Sequence, residues 1–273
     1  MNTIKLSSFA ILILLLSCAA KSSSTETMVK IETTMGSITV KLYDDTPKHK
    51  ENFLKQVKKK YYDDLLFHRV VKDFMIQAGD PESKNAPADK ALGAGGPKQT
   101  ISPEFRFPER FHKRGVLAAA RQGDAVNPKK ESSGSQFYIV WGKPYLDEEL
   151  NTVEEQRVIR VQREIYQQML QERAQELNNY RQDGNEISIL LLQDELQKKS
   201  MEEAEKRPRF KFTDEQREAY KTVGGTPFLD GEYTIFGEVV EGLDVVEKIQ
   251  AVTTNQNNRP VEDVKILKAT ILK

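Results

Sequence analysis

The stretch from Phe67 to Asp80 constrains this chain more than any other. It reads as two short strands around a tight turn. A turn at Lys72-Asp73-Phe74 sets Arg69 opposite Gln77 and Val71 opposite Met75. Side chains alternate along a strand, so Arg69, Met75 and Gln77 share one face, with Phe74 beside them. That face carries a cation, an amide and a soft apolar side chain. It offers no nucleophile, no carboxylate pair and no metal-ligand cluster. Such a surface suits binding a neutral amide and stabilising a change in its shape, and is poorly equipped to cleave one.

The rest of the chain excludes several other chemistries. Lys plus Arg equals Asp plus Glu, 41 against 41 in 273 residues, so the global charge favours neither nucleic acid nor an acidic substrate. Charged residues at 30% and a mean hydropathy of −0.59 describe a soluble body. His49, His68 and His112 lie far apart and lack zinc-type spacing, so no metal is expected. Gly93, Gly95 and Gly96 cluster without the Lys-Ser/Thr pair of a phosphate loop.

The N-terminus has its own pattern. Lys5 precedes an apolar run from Phe9 to Leu16, followed by Ser17, Cys18, Ala19 and Ala20. This predicts a secretory signal over 1–17, too short for a permanent membrane span. Cys18 is the sole cysteine, so the body has no disulfide. Leu15-Leu16-Ser17-Cys18 resembles a bacterial lipobox, which implies cleavage before Cys18, a lipid on its sulfur and a tether over 18–27. An ordinary signal peptide that discards Cys18 is the alternative.

Within the body, Val29, Ile31 and Thr33, then Ile38, Val40 and Leu42, predict an opening hairpin. Thr46-Pro47 supplies an N-cap and a Pro at the first helical position. Phe53, Leu54 and Val57 give that helix an apolar stripe. Gly115–Ala120 and Ser135–Trp141 read as strands. From about Asp147 to Lys221 the chain becomes dense in Glu, Gln, Arg and Lys. Apolar residues there recur at helical spacing and predict two helices joined at Gly184. A short third helix begins at the capping box Thr213-Asp214-Glu215-Gln216. Strand patterning resumes at Tyr233–Val239, Leu243–Ile249 reads as a second compact helix, and Val264–Ile271 as the closing strand. Pro144-Tyr145-Leu146-Asp147 is echoed by Pro227-Phe228-Leu229-Asp230, which suggests a helical insertion that returns to where it left.

With Glu51-Asn52-Phe53, Phe67-His68-Arg69, Phe74-Met75-Ile76-Gln77, Gly134-Ser135-Gln136-Phe137-Tyr138 and Phe236-Gly237-Glu238-Val239 in order, the chain resembles a cyclophilin-type peptidyl-prolyl isomerase. The resemblance implies a mainly β fold: a closed eight-stranded antiparallel barrel capped by two helices, over 28–146 and 224–273, with the helical hairpin of 147–223 inserted. It implies isomerisation of X-Pro bonds without a cofactor, in proline-containing polypeptides. It assigns Arg69 the catalytic role and places Phe74, Met75, Tyr138 and Leu229 around the proline ring. Gln77, Gln136 and main-chain groups at Ala120 and Arg121 would hold the neighbouring backbone. Tyr138, Tyr233, Phe228 and Arg121 stand where a Phe, a His, a Trp and an Asn are usual. The Tyr138 hydroxyl is expected at the pocket rim, facing a substrate carbonyl or water. Together with the N-terminus this suggests a folding helper for exported proteins, lipid-anchored and facing the periplasm. The competing expectation is a chaperone or partner-binding module that uses the helical insertion, with little isomerase activity.

Overall fold

A computed structural model describes residues 26–272; the signal, Cys18 and nearly all of the tether lie outside the described residues. Strands β1 (Thr27–Thr33) and β2 (Gly36–Leu42) pair antiparallel with Thr33 opposite Gly36, leaving Thr34-Met35 as the turn. The alternation works as expected: Val29, Ile31, Ile38, Val40 and Leu42 are all buried. Helix α1 (Pro47–Lys58) starts on Pro47 after Thr46, but the Thr46 side chain makes no cap hydrogen bond. Glu104 takes that role from a distant loop, accepting from the backbone N–H of Lys48 at 3.2 Å and of His49 at 3.0 Å. A carboxylate satisfies orphan amides at a helix N-terminus and complements its dipole.

The hairpin of β3 (Arg69–Val71) and β4 (Met75–Ala78) has the expected register, Arg69 against Gln77 and Val71 against Met75. Asp73, at φ 55°, takes the left-handed turn position. Strands β5 (Val116–Ala119), β6 (Phe137–Val140), β7 (Ile235–Glu241) and β8 (Ile266–Leu272) complete one antiparallel sheet in the order β3-β4-β6-β5-β7-β2-β1-β8.

The sheet is curled and open, a half-barrel, and the expected closed eight-stranded barrel is not formed. The two edges, β3 and β8, are not ladder partners. The physical reason lies before β3. Residues 59–64 are spent on turns, and β3 itself has 3 residues. The segment before β3 meets the start of β8 and the residues ahead of it through the bridge Leu66–Lys265 and separate backbone bonds such as Asp64 N–H to Ile266 O, 2.8 Å, and Phe67 N–H to Val264 O, 2.9 Å.

The central strands are buried on both faces. One face, with Ile76, Leu117, Phe137 and Ile139, joins the main core together with Phe53 and Val57 of α1 and Val246 and Ile249 of α6 (Leu243–Gln250). The other face presents Met75, Val116, Ala118, Tyr138 and Val140 to a second apolar cluster with Phe74, Leu229 and Tyr233. A one-residue slip in register would exchange these two sets.

Four helices lie between β6 and β7: α2 (Asp147–Glu172), α3 (Ala174–Gln182), α4 (Glu186–Glu205) and α5 (Asp214–Thr222). The junction at Gly184 and the Thr213–Gln216 capping box are as expected. The first expected helix, however, breaks at Arg173 into α2 and α3. No Gly or Pro marks that break. It turns Leu177 onto Leu192 and Leu196 of α4. The two ends of the helical stretch meet: Lys143 bridges Gly225, and Tyr145 N–H donates to Tyr220 O at 3.0 Å. Gly142, at φ +66°, lies so close that a Cβ would sit 2.1 Å from Gly225 O. The stretch docks on the body through Phe111, Leu150, Val153, Phe212 and Tyr220. Among the described residues, no helix is long and apolar enough to cross a membrane.

Candidate active site

The β3–β4 hairpin places Arg69 and Gln77 side by side on one face. Arg69 Nη1 donates to Gln77 Oε1 at 3.2 Å. Gln77 Nε2 then donates to Gln136 Oε1 at 2.9 Å, and Gln136 Nε2 donates to the carbonyls of Gly93 at 3.0 Å and Gly95 at 2.6 Å. This relay fixes both amide orientations, because each oxygen accepts and each NH₂ donates. The Arg69 guanidinium stands 5.9 Å from the Phe74 ring centre. It is half-buried, and burial lowers its pKa from the usual arginine range; a guanidinium nevertheless stays charged near neutrality. No carboxylate among the described residues lies within ion-pair distance of it, so most of its donors remain free.

Arg69, Phe74, Met75 and Gln77 form one side of a pocket of about 320 Å³. Ala120 and Arg121 from the loop after β5, Tyr138 from β6, and Leu229 and Tyr233 complete the lining. Met75 and Tyr138 are almost fully buried. Two expected residues stand outside this lining. Gln136 acts behind Gln77, as the relay shows. Phe228, 37% exposed, packs its ring on Phe74 at 5.7 Å and so sits at the rim.

The Tyr138 hydroxyl corrects an expectation. It does not face the pocket mouth but meets His112 Nε2 at 3.0 Å. His112 Nδ1–H donates to Asp230 at 2.9 Å, and Tyr220 O–H donates to the other Asp230 oxygen at 2.6 Å. With Nδ1 carrying the proton, Nε2 accepts from Tyr138. Burial holds the Tyr138 hydroxyl well above the ordinary tyrosine pKa, so it remains a neutral donor. Arg121 lies with its guanidinium 4.5 Å from the Tyr233 ring centre, and its Nε donates to Glu232 O at 2.9 Å. The Ala120 backbone is engaged within the protein, its N–H with Gln136 O and its carbonyl with Ser133 N–H. The Arg121 backbone has no such backbone partner among the described residues.

Leu92 and Gly93 also line the pocket; the sequence singles out Gly93 only within a glycine cluster that is not a phosphate loop, and does not single out Leu92. They belong to the long Gly-rich loop, held by Asp80, which accepts from Gly93 N–H. An apolar Leu inside a Gly-Ala-Lys stretch was the one available signal. In the sequence His112 is weighed only as a metal ligand; its place behind Tyr138 is visible only through its partners. Among the described residues no group of His, Cys, Asp or Glu is arranged to hold a metal ion.

A cation free of counter-charge beside an apolar slot suits recognition of a neutral, ring-bearing amide. Comparison with known proteins agrees. The family model for cyclophilin type peptidyl-prolyl cis-trans isomerases matches residues 28–271. The chain belongs to that family. A Staphylococcus epidermidis protein with the same isomerase designation is 30% identical over 242 residues, covering 88% of this chain and 89% of its own. The Dictyostelium discoideum isomerase cypE is 28% identical over 247 residues, covering 90% of this chain and 98% of its own. A solved cyclophilin-type isomerase from Cryptosporidium parvum shares the fold, with a TM-score of 0.54 and 20% identity over 91% of this chain and 98% of that one. The chain is accordingly a peptidyl-prolyl cis-trans isomerase, acting on proline-containing polypeptides.

Proposed function

We propose that this isomerase assists the folding of exported proteins in the cell envelope, held to a membrane by lipid on Cys18, with Arg69 as its catalytic group. The rotational barrier of a peptide bond is about 18–20 kcal/mol. At the half-rotated stage conjugation is lost and the proline nitrogen regains a basic lone pair. A donor that meets this nitrogen binds the twisted amide better than either planar isomer, which lowers the barrier. Arg69 suits this role because its donors are not consumed by a carboxylate. Phe74, Met75, Tyr138, Leu229 and Tyr233 would hold the ring. Gln77 and Gln136 would orient the neighbouring carbonyl, with the Arg121 backbone beyond them and Phe228 at the rim. The observation that carries the reading is the Arg69 guanidinium, without a carboxylate partner among the described residues, at the edge of an apolar slot.

The test is isomerisation of a panel of X-Pro peptides by the full-length protein and by Arg69→Ala. A loss of about a hundredfold in kcat/KM corresponds to about 2.7 kcal/mol of transition-state binding. Full activity in Arg69→Ala would reject the assignment. The membrane tether rests on Leu15-Leu16-Ser17-Cys18 and is tested by fatty-acid labelling of wild type and Cys18→Ser. Label retained by the variant, or a soluble wild type, would refute it.

One feature favours an additional client-binding role for the helical stretch. Ile187, Leu190 and Leu191 share a face of α4 and are 73%, 65% and 65% exposed. A solvent-facing aliphatic stripe of this kind offers a surface for non-native chains.

A further inference from the structure

A second cavity, of about 430 Å³, lies between α2, the end of α4 and the segment 207–210. It shares no lining residue with the first pocket. Val158, Val161, Ala204 and Phe210 give it an apolar lining, and Arg157, Arg160, Arg207 and Arg209 give it charge. Two carboxylates also line it. Glu232 is already neutralised by three cations, Lys130 at 2.7 Å, Arg160 at 3.1 Å and Arg121 at 3.3 Å. Glu164, exposed, meets Lys130 at 3.8 Å.

The remaining arginines are not neutralised. Arg157 stacks on Phe210 at 3.9 Å and donates through Nη2 to the carbonyl of Asp230, while its Nε is closed off from solvent without a protein partner. Among the described residues, no carboxylate lies within ion-pair distance of Arg157, Arg207 or Arg209. Arg207 and Arg209 are exposed. Apolar walls under uncompensated guanidinium groups fit an acidic group joined to an apolar one, since guanidinium forks match carboxylates.

The cavity adjoins the proline pocket. Glu232 lines one and Tyr233 the other, and Arg121 of the proline pocket bonds Glu232. A chain bound at one site holds its neighbouring residues near the other at an effective concentration on the order of millimolar, so a weak second site suffices. We propose that this cavity is an auxiliary site for an acidic, apolar-bearing segment of the same polypeptide whose proline occupies the first pocket. The inference rests on the isomerase assignment for its substrate.

The test compares a short X-Pro peptide with the same peptide extended by ten residues rich in Asp, Glu and Leu, on either side. The expected result for the full-length wild type is a gain of about five-fold in kcat/KM with one extension, falling with salt. In Arg207→Ser/Arg209→Ser the ratio of extended to short peptide should return towards one. An extension with Asn and Gln in place of the acids should give no gain. No gain in wild type, or an equal gain in the variant, overturns the proposal. A separate measurement keeps it distinct from the isomerase reading: a fluorescent, proline-free acidic peptide should bind wild type and lose affinity in the variant, as read by anisotropy. Binding of inorganic phosphate alone, without the peptide, would also count against it.

Discussion

His68, next to Arg69, should make the protein lose stability on mild acidification. Its ring is 2% exposed, and neither nitrogen has a hydrogen-bond partner among the described residues. Burial is the main cause that pushes its pKa from 6.5 down to about 4; the Asp80 charge opposes this, while Arg69 and Arg259 add to it. The folded state therefore holds a neutral ring where the unfolded chain would take a proton. Between about pH 6.5 and pH 4 the unfolded state binds more protons, so stability falls as pH falls through that window. From pH 7 to pH 5 the loss works out at about 2 kcal/mol. The perturbation is His68→Leu, which removes the titration and leaves no polar atom behind. Because both ring nitrogens are unpartnered, the variant should be near neutral in stability at pH 7. Urea unfolding of wild type and variant at pH 7 and pH 5 gives the numbers, with equal m-values as the check that unfolding exposes similar surface. Buried His49, whose pKa is also lowered by burial, titrates in both proteins and cancels in the comparison. If the two proteins lose the same stability between pH 7 and pH 5, the reasoning about His68 is refuted. Gly93 of the candidate pocket stands against this ring, with a Cβ position 3.7 Å from Nε2, so the activity of the folded protein should hold through this interval and decline only near pH 4, where the folded ring takes its proton.

Tyr220→Phe removes a 2.6 Å bond to a buried carboxylate and should cost about 1.5–3 kcal/mol in chemical unfolding; an unchanged midpoint would show that Asp230 finds another donor. Gly142→Ala meets Gly225 O and a left-handed backbone at once, so it should destabilise by at least about 2 kcal/mol, seen as a lower Tm. Ile187→Ser/Leu190→Ser/Leu191→Ser should leave stability and peptide isomerisation intact, since these side chains are exposed. If the helical stretch binds clients, the same triple variant should lose protection of an aggregating protein in a light-scattering assay.

Local features were legible in the sequence, and sheet closure was not. The β3–β4 register followed from turn length and alternation, and these two rules alone put Arg69 opposite Gln77. The Thr213 capping box was equally readable, because its partners are three residues apart. The open sheet depends on how residues 59–64 spend their length in turns, a matter of tertiary context. Thr46 illustrates the same limit: a correct cap residue in the correct place is displaced by Glu104, remote in the chain. The direction of the Tyr138 hydroxyl could not be read locally either. It is set by His112, Asp230 and Tyr220, on three separate segments, and burial of a phenol demands a partner wherever one can be found.

That chain of contacts also bears on how the slot keeps its shape. Differential binding of a twisted amide requires a wall that does not relax around the planar forms. Tyr138 is part of that wall, and its hydroxyl is anchored through His112 to Asp230, which is fully buried. Asp230 follows Leu229, another pocket residue, and its second oxygen is held by Tyr220 of α5. Arg157 of α2 binds the Asp230 carbonyl on the other side. The helical stretch thus reaches beneath two walls of the candidate pocket through one carboxylate and one carbonyl. A buried carboxylate with a donor removed would draw water or shift its backbone, and either change would displace Leu229. Under the proposed assignment of the pocket, the helices are tied to the geometry of catalysis without touching substrate, so loosening α5 should lower kcat for short peptides before it lowers their binding.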